Sequence, residues 1–275
     1  MNRHVAVCSS LFATLLLSAC LSTEGDGAAA LSSVVESAQS EDVSAGTDSK
    51  NEARLSAATD VFKAVSISDT ELQAVTLQVV TEMDNTNQVA PATDKKYAKR
   101  LVRLTRNLAN EDGLELNFKV YITDEINAFA TADGSIRVYS GLMDLLDDNE
   151  LRSVIGHEIG HVKLGHSLAE ARTAYLTSAA AKVAASEGGL GAKALAELGE
   201  KLINAQFSQA QESESDAYGV EFMKRHKHKL SAAESAMRKL ANLEGSESGS
   251  KLFSSHPGAK ERADKIHELI ATKKK

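Results

Sequence analysis

Cysteine is nearly absent from this sequence, with two, Cys8 and Cys20, in 275 residues. Cys8 lies in an N-terminal stretch with the marks of a cleaved secretion signal: Arg3, an apolar run from Val5 to Leu17, then Leu17-Ser18-Ala19-Cys20. Cleavage before Cys20 leaves one cysteine, which excludes an intramolecular disulfide in the mature chain. Positive charge is also in short supply. The net charge is -7 and no sustained basic patch occurs, which argues against a nucleic acid partner. The basic cluster Lys224-Arg225-His226-Lys227-His228-Lys229 reads as a solvated helix end. A bilayer-spanning run is missing too. The N-terminal run is too short for a mature spanning helix, and the Ala-rich stretch from Leu168 to Gln206 is interrupted by Glu170, Arg172, Lys182, Glu187, Lys193, Glu197, Glu200 and Lys201.

The small residues before Cys20 form a lipobox, so Cys20 is expected to become the lipid-carrying first residue. Leu21 follows it where Asp would be the usual inner-membrane retention cue, which points to the outer membrane, facing the periplasm. Residues 1–19 are then a lipoprotein signal peptide, and residues 20–58 a lipidated cysteine and linker. From Leu21 to Ala58 the chain is rich in Ser, Ala, Gly, Asp and Glu without sustained periodicity, as expected of a flexible tether. As a coil it spans about 30 to 40 Å, enough to hold a domain off a membrane surface. Residues 59–275 fit one domain with its own core.

The most constraining stretch is Ile155-Gly156-His157-Glu158-Ile159-Gly160-His161, a His-Glu-x-x-His pattern. Helical residues advance by about 100° each, so His157 and His161 project from one face, one turn apart, and can reach one metal. Glu158 is rotated by about 100° from His157, placed to touch a water without being a ligand, as a general base requires. Asp147-Asp148-Asn149-Glu150 has the form of a capped helix start, and Leu151, Val154, Ile155 and Ile159 supply an apolar stripe. Gly156, Gly160 and Gly165 each cost on the order of 1 kcal/mol in a helix interior, as expected where backbones pack closely around a site.

A catalytic zinc takes three protein ligands and keeps a fourth position for water. His166 is the nearest third candidate, but on a continuing helix it points about 140° away from His161 and reads as a helix-end polar residue. The pattern in which a third histidine follows requires Gly at 164 and His at 167, where this chain has Leu164 and Ser167. A better candidate lies downstream. Ser208 with Gln211 resembles a capping box opening a second helix, on which Glu212 and Asp216 share a face while Glu214 looks to solvent. Glu212 can bind the metal while Asp216 accepts the outer N–H of a ligating imidazole and fixes its tautomer.

The rest of the domain reads as α+β and mainly helical. Asp69 to Thr86 carries apolar residues at mostly helical spacing, and Thr93 can cap a second helix bearing Tyr97, Leu101, Leu104 and Leu108. Phe118 to Ile122 alternates with period two, and Asp133-Gly134 is a hairpin signal between Ala128 to Thr131 and Ile136 to Tyr139. A small antiparallel sheet beside the motif helix is expected. Leu168 to Gln206, broken by Gly188-Gly189 and Gly191, reads as two helical pieces and a loop, a mobile or packed cover near the site.

His157-Glu158-Ile159-Gly160-His161 with Glu212-Ser213-Glu214-Ser215-Asp216 resembles the zinc peptidases of the HtpX and CAAX-prenyl-protease type, and within them the LoiP-like outer-membrane lipoprotein proteases. Asn127-Ala128-Phe129-Ala130, Asp133 to Leu142, and Ser255-His256-Pro257 with Arg262 match further segments, so the resemblance runs from about Asp69 to Ile270. Ser215 stands where many relatives have Ala and is read as a surface-tolerant difference. The resemblance implies a zincin-like, gluzincin-type endopeptidase with one Zn2+ per chain. It also implies substrate strands aligned along Asn127 to Ala130, and His256 and Arg262 over the metal as oxyanion donors. The expected substrates are unfolded or misassembled envelope proteins, with the membrane met through Cys20 and the outer-membrane assembly machinery as a further partner. The competing reading is a non-catalytic chaperone or assembly lipoprotein with structural zinc. Glu158 speaks against it, because structural zinc has no use for a general base.

Overall fold

The computed structural model describes residues 66–178, 190–243 and 250–273, all within one compact unit, Thr47–Lys275. The expected signal, the expected lipidated Cys20 and tether, and the loop expected at Gly188-Gly189 lie outside the described residues. The first helix, α1 (Asp69–Thr86), opens on a capping box in which Ser68 and Glu71 satisfy each other's backbone N–H groups, and it buries Leu72, Thr76, Val79, Val80 and Met83. For α2 (Ala98–Leu104) the expected cap at Thr93 gives way to Asp94, whose Oδ1 accepts from the backbone of Tyr97 and Ala98 at 2.5 and 2.9 Å.

Three strands follow, β1 (Asn117–Tyr121), β2 (Ala128–Ala130) and β3 (Ser135–Tyr139), in the order β1-β3-β2. The β2–β3 hairpin is antiparallel as expected, with Phe129 opposite Arg137. It turns on Gly134 at φ +86°, where a Cβ would sit 2.0 Å from the Glu115 carbonyl oxygen. β1 pairs with β3 in parallel, Asn117 to Ser135 through Tyr121 to Tyr139, so the sheet is mixed rather than wholly antiparallel. The segment after β1 carries the chain past the position of β3 to the far edge. A hairpin from there necessarily returns β3 in the direction of β1.

The pleat divides the sheet between two cores. Val120, Ala128, Ile136 and Val138 face one core, built with α3 (Ser140–Leu145), α4 (Asp148–Lys163), α7 (Gln209–Arg225), α8 (Ser231–Ala241) and α10 (Ala259–Lys273). Tyr121, Phe129 and Tyr139 face the other, their ring centroids 5.6 to 6.3 Å apart, together with α1, α5 (His166–Thr177) and α6 (Ala192–Asn204). The two expected helical pieces between Leu168 and Gln206 are α5 and α6. The second is a packed cover, burying Leu198 and setting Gly199 against Val79 and Met83 of α1. A short helix, α9 (Ser250–Ser255), touches α6 and leads to His256. Among the described residues no helix is long and apolar enough to cross a membrane.

Candidate metal centre

Two helices build the site, and both start where their sequences cap them. On α4, Asp147 Oδ1 accepts from the backbone of Asn149 and Glu150, while Glu150 returns a carboxylate oxygen to Asp147 N at 2.8 Å. Glu150 also accepts from Ser235 and Lys239, which ties α4 to α8. On α7, Ser208 and Gln211 form the second box. The helices meet at glycines: a Cβ on Gly156 would lie 2.5 Å from the Phe222 ring, and one on Gly160 3.2 Å from Ser215 Cα. This close approach brings the histidines of α4 to the carboxylates of α7.

His157 Nε2 and His161 Nε2 face each other at 3.0 Å. Glu212 closes the triangle, Oε1 3.4 Å from His161 Nε2 and Oε2 3.7 Å from His157 Nε2. His256 joins from the loop after α9, its Nδ1 2.9 Å from Glu212 Oε1 and its Nε2 3.7 Å from Glu158 Oε1. His157, His161, Glu212 and His256 each offer a ligand atom, all within 4.8 Å of one another, and all four residues are buried. Asp216 Oδ1 lies 3.0 Å from His157 Nδ1. A mainly apolar recess bordered by Glu158, His256, Ala236, Met237 and Leu240 adjoins the site.

Burial works against the charge on Glu212, yet the adjoining histidines outweigh it and hold the carboxyl far below its usual range. Asp216 is likewise buried and is held down at about 2, chiefly by the Arg262 guanidinium. Burial pushes His161 well down, so its imidazole is neutral and free to ligate. In formal charge, three buried carboxylates, Glu158, Glu212 and Asp216, face one buried guanidinium, Arg262. With His157 and His161 neutral, as ligation requires, and His256, despite its burial, pushed up by the adjacent Glu212 and Glu158 carboxylates, negative charge still exceeds positive, and a divalent cation offsets it. Nitrogen and oxygen donors at 2.0–2.2 Å from zinc in a tetrahedron stand about 3.3 Å apart, and the separations of 3.0, 3.4 and 3.7 Å bracket that spacing. The residues present fit zinc.

Two expectations change here. His166 does not continue the motif helix: α4 ends at Lys163, Gly165 turns the chain at φ +79°, and His166 starts α5 buried, with its Nδ1 3.2 Å from His161 Nδ1. Ser215 is no surface position; it is fully buried, with Oγ 3.2 Å from His166 Nδ1. Arg262 spends its guanidinium on carboxylates, Nε and one terminal nitrogen on Asp216 at 2.8 and 2.7 Å and the other on Glu212 Oε2. This two-nitrogen grip positions Asp216. Glu214 is exposed as expected, but its carboxylate reaches His166 Nε2 at 3.0 Å. Sequence reasoning also passed over Phe207, which stacks on the His161 ring with centroids 3.8 Å apart. Its position just before the α7 cap was the available signal.

Asn127 to Ala130 form the edge of the sheet beside α4. Tyr139 N donates to Asn127 O and Thr131 N to Ser135 O, both at 3.0 Å. By antiparallel alternation the backbone groups of Ala128 and Ala130 therefore turn away from β3. Asn127 Oδ1 accepts from Ala128 N at 2.9 Å, and Ala130 has no strand partner on that side among the described residues.

The model of Peptidase family M48 matches residues 95–270. The chain is 42% identical over 222 residues to metalloprotease LoiP of Escherichia coli K12, covering 79% of this chain and 87% of that protein. It is 39% identical over 225 residues to metalloprotease YcaL of the same strain, covering 80% and 88%. An HtpX protease homologue of Ralstonia nicotianae is 26% identical over 245 residues, covering 71% and 81%.

Proposed function

Since the chain belongs to peptidase family M48 and is a zinc metalloprotease, we propose that it is an endopeptidase for unfolded or misassembled envelope proteins, tethered by a lipid on Cys20 to the periplasmic side of the outer membrane. The observation that carries the chemical part is the convergence of His157, His161 and Glu212 on one point, with Glu158 beside it and uncommitted to the triangle. Those three residues would hold the zinc, and Asp216 keeps the His157 tautomer that presents Nε2. Zinc, when bound, supplies a Lewis acid that polarises the scissile carbonyl and brings the pKa of a water toward neutrality. Glu158 takes the proton of the attacking water and delivers it to the leaving amine. His256 is the donor to the developing oxyanion, because a fourth protein ligand would leave no place for water. Arg262 holds Asp216 and offsets buried negative charge.

The edge at Ala128 to Ala130 suits an extended substrate that adds a strand, a mode that reads backbone more than side chain and so favours unfolded protein. The lipobox at Leu17 to Cys20 and the residue Leu21 support the address. Glu158→Gln tests the chemistry. It should keep stoichiometric zinc and lose cleavage of casein by about 10² to 10⁴-fold, and cleavage at an undiminished rate would sink the mechanism. Metabolic lipid labelling of the wild type and of Cys20→Ala, with outer-membrane fractionation, tests the tether; equal membrane recovery of both would refute it.

A further inference from the structure

The two imidazoles of the motif are oriented differently. His157 hands its Nδ1 directly to the carboxylate of Asp216 at 3.0 Å. Among the described residues no carboxylate stands at the Nδ1 of His161; what stands there, 3.2 Å away, is His166 Nδ1. His166 in turn places Nε2 3.0 Å from Glu214 Oε2, and Ser215 Oγ is 3.2 Å from His166 Nδ1. We propose that His166 and Glu214 are the positioning pair of His161, a carboxylate-imidazole chain that runs from the surface of α7 to the outer nitrogen of the buried motif histidine.

The direction of the chain follows from donor counting. With Nε2 of His161 turned to the metal, a neutral imidazole carries its proton on Nδ1 and must donate from there. The atom facing it, His166 Nδ1, must then be an acceptor, since two N–H groups would point at each other. His166 therefore carries its proton on Nε2, and an acceptor is needed on that side; Glu214 supplies one. The His166 side chain is 7% exposed, while the Glu214 side chain is 62% exposed, so the chain links solvent to the core of the site. Gly165 makes it feasible: only the left-handed turn after α4 brings the first residue of α5 back against His161. Ser215 adds a hydroxyl to the same acceptor nitrogen, a contact an alanine there would lack.

The inference rests on His161 being a ligand, and the experiment separates the two. Zinc affinity of the full chain is measured by chelator competition for wild type, His161→Ala, His166→Leu, His166→Asn and Glu214→Gln. His161→Ala should lose zinc. His166→Leu should weaken binding by about 10- to 100-fold. His166→Asn, whose side-chain oxygen can still accept from His161, should fall between it and wild type. Glu214→Gln, at an exposed position, should weaken binding by about three- to fivefold. Nitrogen NMR of imidazole-labelled, zinc-loaded wild type should show His166 protonated on Nε2. If His161→Ala retains wild-type affinity, the ligand assignment fails. If His161→Ala loses zinc while His166→Leu binds as wild type, or if His166 is protonated on Nδ1, the positioning pair is refuted. The NMR result decides even where His166→Leu does not fold.

Discussion

Each core of this protein contains a buried arginine gripping an aspartate with two nitrogens, and the two pairs do different things. On the aromatic side of the sheet, Arg137 holds both oxygens of Asp84 at 2.9 Å, with Lys119 and Tyr121 completing the carboxylate's partners. On the motif side, Arg262 holds both oxygens of Asp216 at 2.8 and 2.7 Å, and Asp216 also meets His157. Around Asp84 the recorded partners are all donors and the carboxylate's charge is fully matched within the protein: it joins α1 to β1 and β3. Asp216 instead meets Arg262 and His157, and His157 belongs to a buried group with His161, Glu212 and His256 in which negative charge is left over for a cation. Burial and ion pairing mark both places equally. What distinguishes the functional one is the excess of ligands and negative charge beyond what the guanidinium satisfies.

That contrast can be broken by mutation. The largest effect is expected from Glu212→Ala, which should abolish stoichiometric zinc by metal analysis, while Glu214→Ala keeps the metal; the reverse result would move the third ligand. Next comes Asp84→Asn, which leaves Arg137 buried without its charge partner. It should cost about 3 kcal/mol of stability, seen as a lower urea midpoint, with zinc content of the folded protein unchanged. Asp216→Asn should show the opposite profile, a zinc affinity weaker by about 10- to 100-fold and a smaller stability change. If Asp84→Asn lost zinc and Asp216→Asn did not, the division of labour between the cores would be wrong.

The smallest effect is in pH dependence. Burial alone would raise the Asp84 carboxyl, but Arg137, Lys119 and Tyr121 outweigh it and hold it below its ordinary value. A carboxyl depressed in the folded state contributes stability above the unfolded value, near pH 4, and loses it as pH falls through the lowered one. The urea midpoint of the wild type should therefore drop on going from pH 6 to pH 3 by more than that of Asp84→Asn. Parallel curves would show that Asp84 is not responsible.

Local rules carried the chain far. The capping boxes at Asp147 and Ser208 announce two helix starts in sequence, and Asp133-Gly134 announces the hairpin, because each of these signals is completed within four residues. The partnership of Glu212 with the motif also lay open to reading from spacing: residues four apart on each helix give one face. Where a reading failed, a distant partner decided the outcome. Ser215 has the composition of a surface residue but sits under Gly160.

The sequence by itself determined the donor types, their helical phase and the placement of the Glu158 carboxylate beside them on the helix, since those depend on residue identity and the 3.6-residue turn. Only the tertiary structure decided that β1 lies parallel to β3, that Gly165 folds His166 back onto His161, and that His256 enters the ligand group from another helix's end. These depend on where separate segments meet. Such meetings are set by close packing, in which the absence of a Cβ at Gly156 and Gly160 governs how near two helices can come.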